Sequence, residues 1–528
     1  MTTTTPSTTR SPGSEPDERD RPSPGLIAAI LAAVVVLAVI ARPVITRRYA
    51  TGVSGAWFPV ALWSVLLATS VVIGAIVLAS TFPSVRRRWA LPIGFRFWIM
   101  GICAAAFLIR FAGLFRVATD QRIGAGFGDP DYYQLQSNML ADGRGFGEPF
   151  TFRNTGRLIP TAIHPPGFSA YLAIFSKLGA RAVFDHKMAA FLLGVAAVAV
   201  IGYIGRRVGG DAVGLLAAGL AAISPSFWLP DGIIMPEGAF ILCCALVILF
   251  AYRWREHPVW QEAAALGLFI GLSALARGEG VLLGPVLALP WILSFRKVAM
   301  RTRLLHLAGA GVACLLVLAP WMVRNLNTFA NFVPLSTNSN EVIEYANCPD
   351  SYYGEFAGYW SFNCQERIRQ EQGEFAGDES ERAAAWRQVG VTYAREHAGR
   401  LPVVLAMRFG RVWNVWRPLN NARLSTIEGR NLRSQQIALA LQAILTPMAI
   451  AGWWILRRRG TPSWPLVAQA VCVTLTAMYA YGAARFRAPA EITLVVLSAV
   501  TAVWLVDRWR STRSRQAGPE LAEPSGGG

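Results

Sequence analysis

The sequence is poor in charge. Asp, Glu, Lys and Arg make up 16% of its 528 residues, against about 25% in soluble proteins, which excludes a string of soluble domains. Cysteine is sparse as well, and 7 in so long a chain cannot carry a small disulfide scaffold. No apolar segment follows directly on a short basic start: residues 1–25 are rich in Thr, Ser, Pro and charge, and the first apolar run begins at Leu26. The head reads as a disordered tail without a cleavable signal peptide.

Apolar surface is what the chain has in excess. Hydrophobic residues reach 53%, with 27 Phe, 18 Trp and 13 Tyr, and mean hydropathy is +0.38. A disordered chain is thereby excluded and a membrane protein indicated. Runs long enough for a ~30 Å hydrocarbon core fall at 26–42, 58–80, 93–113, 187–205, 212–230, 233–252, 304–322, 437–456, 463–482 and 488–507. Residues 261–295 form another apolar block, broken at Arg277, Gly278, Glu279 and Gly280, which reads as a hairpin of two short spans. The expectation is an all-α polytopic bundle of about twelve transmembrane helices.

A net charge of +18 raises the question of nucleic acid. Its placement answers it, because the basic residues cluster in alternate short loops, at 86–88, 206–207, 253–255, 296–303 and 457–459, and in the two tails. That is the bias of cytoplasmic loops, so the excess is a topology signal and no nucleic-acid partner is expected. Both termini are then cytoplasmic, with the plasma membrane as the expected location. Arg42, Arg47 and Arg48 face outward on this reading, as contacts to lipid headgroups.

The same parity puts two long hydrophilic segments, 116–185 and 323–436, on the outer side, where chemistry in water has room. The expected organisation is a disordered cytoplasmic tail (1–25), two additional N-terminal spans (26–92), a core containing the first outer loop (93–322), the second outer loop (323–436), the C-terminal spans (437–507) and a cytoplasmic tail (508–528). Cys348 and Cys364 share the second outer loop, where oxidising conditions allow a disulfide. Two free thiols are the alternative.

Charges are costly at a helix centre, and the exceptions gather at one depth, facing outward: Asp231, Glu237, Arg277, Glu279, Arg324, Arg485, Arg487 and Glu491. Arginines in tight outer turns run against the positive-inside bias. They serve either as headgroup anchors or as an anion site, since guanidinium forks suit phosphate oxygens.

In the first outer loop, Gly128-Asp129-Pro130-Asp131-Tyr132-Tyr133 leads into apolar residues at helical spacing and ends at Gly143. It reads as a short amphipathic helix on the membrane surface. Asp129 is then an N-cap or a catalytic base, with Asp131 in reserve. Further on, His164 precedes Pro165-Pro166, which hold it extended.

The ordered set of Phe107-Leu108-Ile109-Arg110, Gly128-Asp129 with Tyr133, Gly145-Phe146, His164-Pro165-Pro166, Pro236-Glu237, Ala319-Pro320-Trp321 through Arg324-Asn325, Pro334 to Asn338, and Arg485-Phe486-Arg487-Ala488-Pro489 resembles the polytopic GT-C glycosyltransferases. The similarity is to the family 39 group, related to protein O-mannosyltransferases and the aminoarabinose transferases of lipid A, and runs from about residue 93 to 507. Where family members show an acidic pair, usually Asp-Glu, this chain has Asp129-Pro130-Asp131.

The resemblance implies a GT-C bundle and transfer of a sugar from a polyprenyl-phosphate carrier to a glycan, lipid or protein acceptor of the cell envelope. It implies Asp129 as general base. Arg485 and Arg487, helped by Arg277, would bind the donor phosphate; Tyr133, His164, Glu237 and Glu279 would line the substrate pocket. Whether Glu237 and His164 also contribute to a divalent-metal site stays open. Direct displacement implies inversion at the anomeric carbon. The alternative class is a polytopic lipid or sugar transporter or flippase without covalent chemistry; such proteins place binding groups near the midplane, often at broken helices. Gly267-Leu268-Phe269-Ile270-Gly271 reads as close helix packing rather than such a break.

Overall fold

The computed structural model describes residues 24–46, 57–84, 94–116 and 128–516. The expected disordered head, the arginines at 47–48 and 86–88, and the end of the C-terminal tail lie outside the described residues.

Twenty-two α-helices follow one another among the described residues. They are α1 (Pro24–Thr46), α2 (Trp57–Ser80), α3 (Phe95–Arg116), α4 (Asp129–Ala141), α5 (Pro149–Thr155), α6 (Gly167–Lys177), α7 (Val183–Gly209), α8 (Asp211–Ile223), α9 (Pro225–Gly232), α10 (Glu237–Glu256), α11 (Trp260–Ala276), α12 (Leu289–Leu293), α13 (Met300–Leu326), α14 (Asn338–Ala346), α15 (Pro349–Tyr352), α16 (Phe362–Gln372), α17 (Glu379–Glu396), α18 (Leu401–Val412), α19 (Pro418–Leu424), α20 (Leu432–Arg458), α21 (Trp464–Tyr479) and α22 (Ala490–Gln516). Among the described residues there is no strand, only an isolated bridge between Gly147 and Pro160.

Among the described residues, eight helices are long and apolar enough to cross a membrane, or nine if the bent pair α8 and α9 is one span. The protein is thus a multi-pass membrane protein, with fewer full-length spans among the described residues than the twelve or so read from hydropathy. The difference lies in three shorter apolar elements: α11, residues 278–293 and α21. Arg277 ends α11 in an extended conformation, and a 3₁₀ turn (Gly278–Leu282) and a π turn (Gly284–Ala288) follow before α12. The backbone here leaves the regular α-helix between two short apolar arms.

Packing in the bundle relies on small residues. A side chain on Gly267 would strike the backbone of Ala310, and one on Gly271 would meet Val317 and Cys314, so α11 and α13 are in close backbone contact, the role of a Gly-x-x-x-Gly face in membranes. One ion pair is enclosed here: Arg110 Nε donates to Asp231 at 2.8 Å, both side chains fully buried, tying α3 to α9. Removing either partner would strand a buried charge, at about 3–5 kcal/mol. Asp231 therefore belongs to the bundle interior and not to an open outer turn.

The two long connections are mostly helical and rest on the bundle and on each other. Ala346, Tyr359, Trp360, Val412 and Leu424 pack with Val473, Ala477, Tyr481 and Phe486, seating the second connection on the end of α21 and the turn after it. Residues 161–163 of the first connection are pinned by the second: Thr337 N–H donates to Ala162 O at 2.9 Å, Ala162 N–H to Glu379 at 2.8 Å, and Ser336 Oγ–H to Ile163 O. Arg324, at the end of α13, donates to Thr161 O at 3.0 Å and Phe146 O at 2.9 Å. These contacts fix His164 relative to α14.

Candidate active site

Asp129 is the first residue of α4, not its cap. Gly128 holds the N-cap position with φ 105°, and no side chain caps the helix. That backbone region is open to Gly at little cost. Relieved of capping, the Asp129 carboxylate lies between an imidazole and a guanidinium: Oδ1 is 3.5 Å from His164 Nε2 and Oδ2 is 3.5 Å from Arg485 Nη1. It keeps 36% of its side-chain surface exposed. α4 itself is largely buried, at Tyr132, Tyr133 and Met139 among others, and packs on α6.

His164 is gripped by aromatic rings, edge-on to Tyr132 with centroids 4.8 Å apart and tilted against Tyr133 at 5.1 Å. Tyr133 is thus a holder of the imidazole, itself packed on Phe168. Asp131 is buried and does not line the cavity described below.

From Asp129 a chain of alternating charges runs inward. Arg485 donates to Tyr481 Oη at 2.8 Å and stands 3.4 Å from Glu428; Glu428 is 3.5 Å from Arg430. Arg430 and Arg277 converge on Glu237 Oε1, at 3.3 and 3.2 Å, and Arg277 also pairs with Glu279 at 2.6 Å. Phe486 keeps the like charges of Arg277 and Arg485 apart, with their guanidinium carbons 5.4 and 5.7 Å from its ring centre. Four carboxylates and three guanidinia make up the chain. Its Asp129 and Glu428 contacts are long for ion pairs.

Local backbone places these groups. Gly429, with φ 77°, turns the chain between Glu428 and Arg430, and Asn431 then caps α20 by accepting from Ser434 N–H. Glu237, fully buried, opens α10 just beyond Ile234. Ile234 has φ 54°, strain of about 1–3 kcal/mol for a β-branched residue. Arg487 is not part of this chain: it pairs with Glu491 at 2.8 Å and donates to Val412 O at 2.7 Å. Of the expected residues, Asp129, His164, Arg277, Arg485, Glu237 and Glu279 are brought together, with Tyr133 behind His164. Sequence reasoning missed Glu428 and Arg430. Their only signal was a pair of opposite charges flanking a glycine before a helix cap.

Asp129, His164, Glu428 and Arg485 line a cavity of about 310 Å³, at the low end of small-molecule sites. Arg485 also lines a smaller cleft with Arg430, Glu237 and Arg487. Burial opposes ionisation of Asp129, but His164, then Arg485 and Arg277, outweigh it and hold the carboxyl well below its ordinary range. Burial likewise opposes the charge on Arg485, but Glu428, Tyr481 and Asp129 raise its pKa well above the usual value.

The donor set does not fit a resident divalent ion. Among the described residues the only trio of His, Cys, Asp or Glu ligand atoms at metal-binding separation is Glu344 with Cys348 and Cys364. Those two sulfurs are joined in a disulfide.

The family model described as dolichyl-phosphate-mannose-protein mannosyltransferase matches residues 163–323, a stretch that begins beside His164 and ends in α13. The match bears out, over that stretch, the resemblance to GT-C glycosyltransferases read from the residues. Among solved structures, the archaeal oligosaccharyltransferase AglB from Archaeoglobus fulgidus, in complex with an inhibitory peptide and a dolichol-phosphate, is 16% identical with a TM-score of 0.46, covering 81% of this chain and 52% of that one. ArnT from Cupriavidus metallidurans, bound to undecaprenyl phosphate, is 15% identical with a TM-score of 0.38, covering 81% of this chain and 82% of that one. The chain spans about half the length of the archaeal enzyme. Comparison with the curated proteins gives no significant match.

Proposed function

We propose that the protein is a membrane glycosyltransferase of the family 39 type that moves a sugar from a polyprenyl-phosphate donor to an acceptor on the extracytoplasmic side of the plasma membrane, with both termini cytoplasmic. The observation that carries this reading is the meeting of Asp129 with Arg485 on the wall of one cavity. A sugar on a lipid phosphate has its leaving group anchored at the membrane face. Transfer then needs a cation for the phosphate beside a base for the nucleophile. The description of the matched family, which names a dolichyl-phosphate sugar, supports the donor class.

In this reading Arg485 receives the phosphate, with Arg430 and Arg277 behind it. Arg430 also borders an apolar crevice lined by Leu114, Phe191, Leu229 and Ile233, suited to the first part of a prenyl chain. The acceptor's oxygen or nitrogen attacks the anomeric carbon as its proton passes to Asp129. The bond from that carbon to the phosphate oxygen breaks, and its electron pair stays on the phosphate. Attack opposite the leaving group inverts the centre. His164 orients Asp129, and Glu237 and Glu279 hold the arginines in place.

Without donor, Asp129 is a weak base because His164, Arg485 and Arg277 lower its pKa. A phosphate beside Arg485 would draw off that cation's influence and raise the basicity of Asp129. Base strength thus follows donor binding.

The test is to incubate the purified full-length protein with a panel of polyprenyl-phosphate sugars and cell-envelope acceptors, and to identify both products by mass spectrometry. Sugar incorporation together with free lipid phosphate supports the reading. Movement of labelled lipid without a covalent product would replace it with a transporter.

A further inference from the structure

The cavity that holds Asp129 and Arg485 has a second wall to which the transfer chemistry assigns no role. Asn338, Glu341, Val342 and Tyr345 share one face of α14 by their helical spacing, and all four line the cavity. Trp360 and Phe362 line it too. Phe362 packs edge-on to both Trp360, at 4.6 Å between centroids, and Tyr345, at 5.1 Å, making a continuous aromatic surface.

Two polar groups in this wall are unmet. Glu341 makes no hydrogen bond or ion pair with any described residue. Trp360 is only 8% exposed, yet its indole N–H has no acceptor. A buried donor without an acceptor is costly, and beside it the half-buried Glu341 carboxylate stands free against flat apolar rings; together they point to a ligand. A sugar ring has the matching parts: hydroxyls that both give and take hydrogen bonds, and a face of C–H groups that packs on aromatic rings.

Charge narrows the class. Glu428 lines the same cavity, and Glu344 lies one helical turn beyond Glu341 on α14. Burial, then Glu379, raise the Glu341 carboxyl to about 7 against the opposing pull of Arg369, Arg382 and His164. Arg485 is the only guanidinium among the residues lining the cavity, and the donor phosphate takes it. A second phosphate would meet carboxylates. A polypeptide docking by strand addition would need a sheet edge, and no strand is present among the described residues.

Resting on the sugar-transfer reading, we infer that Glu341 and Trp360 form an acceptor subsite that takes a saccharide without phosphate, in preference to a phosphorylated sugar or a polypeptide. Glu341 accepts from ring hydroxyls, Trp360 donates to one, and Tyr345 and Phe362 pack on the ring.

The test uses the full-length protein in detergent and measures binding of methyl mannoside, chitobiose, mannose 6-phosphate and a Ser/Thr-rich peptide by saturation-transfer NMR and titration. At least one of the two neutral sugars should bind more tightly than the phosphate and the peptide. That affinity should fall tenfold or more in Glu341→Ala and in Trp360→Phe, with Glu341→Gln as a near-isosteric check that the fold is kept. Tighter binding of the phosphate or the peptide, binding by neither neutral sugar, or an affinity unaffected by Glu341→Ala would overturn the inference. Thermal stabilisation by undecaprenyl phosphate is measured in parallel. Its absence in the wild type would sink the transfer reading, while the sugar data would still report on the subsite.

Discussion

Asp129 and Arg485 are 356 positions apart in the chain and meet at 3.5 Å. Both are held from behind, Asp129 by the packed His164 and Arg485 by Tyr481 and Glu428. Their separation is longer than a tight charged hydrogen bond, so the pair can part without breaking a strong contact.

If Asp129 is the base, Asp129→Asn should cut kcat by about 10²–10⁴, the usual cost of losing a general base. Binding of undecaprenyl phosphate should persist. Single-turnover assays beside a lipid-binding assay separate the two. A dead Asp131→Asn with an active Asp129→Asn would move the base to Asp131, whose buried position predicts loss of stability instead.

Arg485→Ala should weaken lipid-phosphate affinity by roughly 1.5–3 kcal/mol, as for a lost charged hydrogen bond, or about 10- to 100-fold. Arg487→Ala should behave differently, because that side chain is paired with Glu491 and Val412 O. Its effect should be a lowered Tm with phosphate affinity retained. Titration calorimetry with undecaprenyl phosphate and thermal unfolding of both variants decide it.

The depressed Asp129 pKa gives a signed pH dependence. The anion persists below the ~4 of a free Asp, and the stability it contributes is lost only as pH falls through the depressed value. The acid limb of kcat/KM for the donor, which reports donor-free enzyme, should lie below that of kcat, which reports the complex. Coincident limbs would show that donor binding leaves Asp129 unchanged.

Glu344 is fully buried with both carboxyl oxygens unpartnered, and burial, then Glu341, raise it to about 8. An acid raised on folding stabilises below its unfolded pKa, and that stability is lost as pH rises toward the folded value. Glu344→Gln should therefore raise Tm at pH 8 and change it little near pH 4.5. Thermal unfolding at the two pH values reads this directly.

Cys348 and Cys364 close a loop with a sequence separation of 16, for which chain entropy suggests about 3 kcal/mol. Replacing both with Ser should lower the stability of the second connection. Limited proteolysis between α14 and α16 should then speed up relative to cleavage elsewhere.

Much of this was legible from residue types. Arginines in tight outer turns needed a reason, and Asp129 stood at a helix start; Arg485 and Asp129 ended on the cavity wall. The capping role was misjudged because Gly128 can adopt φ 105° and free the carboxylate, which a residue-type preference for Asp at caps does not reveal. Arg487 looked equivalent to Arg485, yet a Glu four residues on, at Glu491, already marked it as paired. Glu428, Glu341 and Trp360 were missed because they lie in a long connection whose folding on the bundle has no period to read. Three of the spans read from hydropathy are shorter apolar elements, because apolar composition does not show where a helix breaks, as at Arg277.

The chain from Asp129 to Glu279 carries at least as many negative groups as positive ones. An arriving lipid phosphate would therefore be exchanged for a side chain of the protein itself, not captured by idle positive charge. Exchange of this kind favours moderate affinity and a muted response to salt, and it gives the spent carrier a ready exit as the displaced acid swings back to its guanidinium.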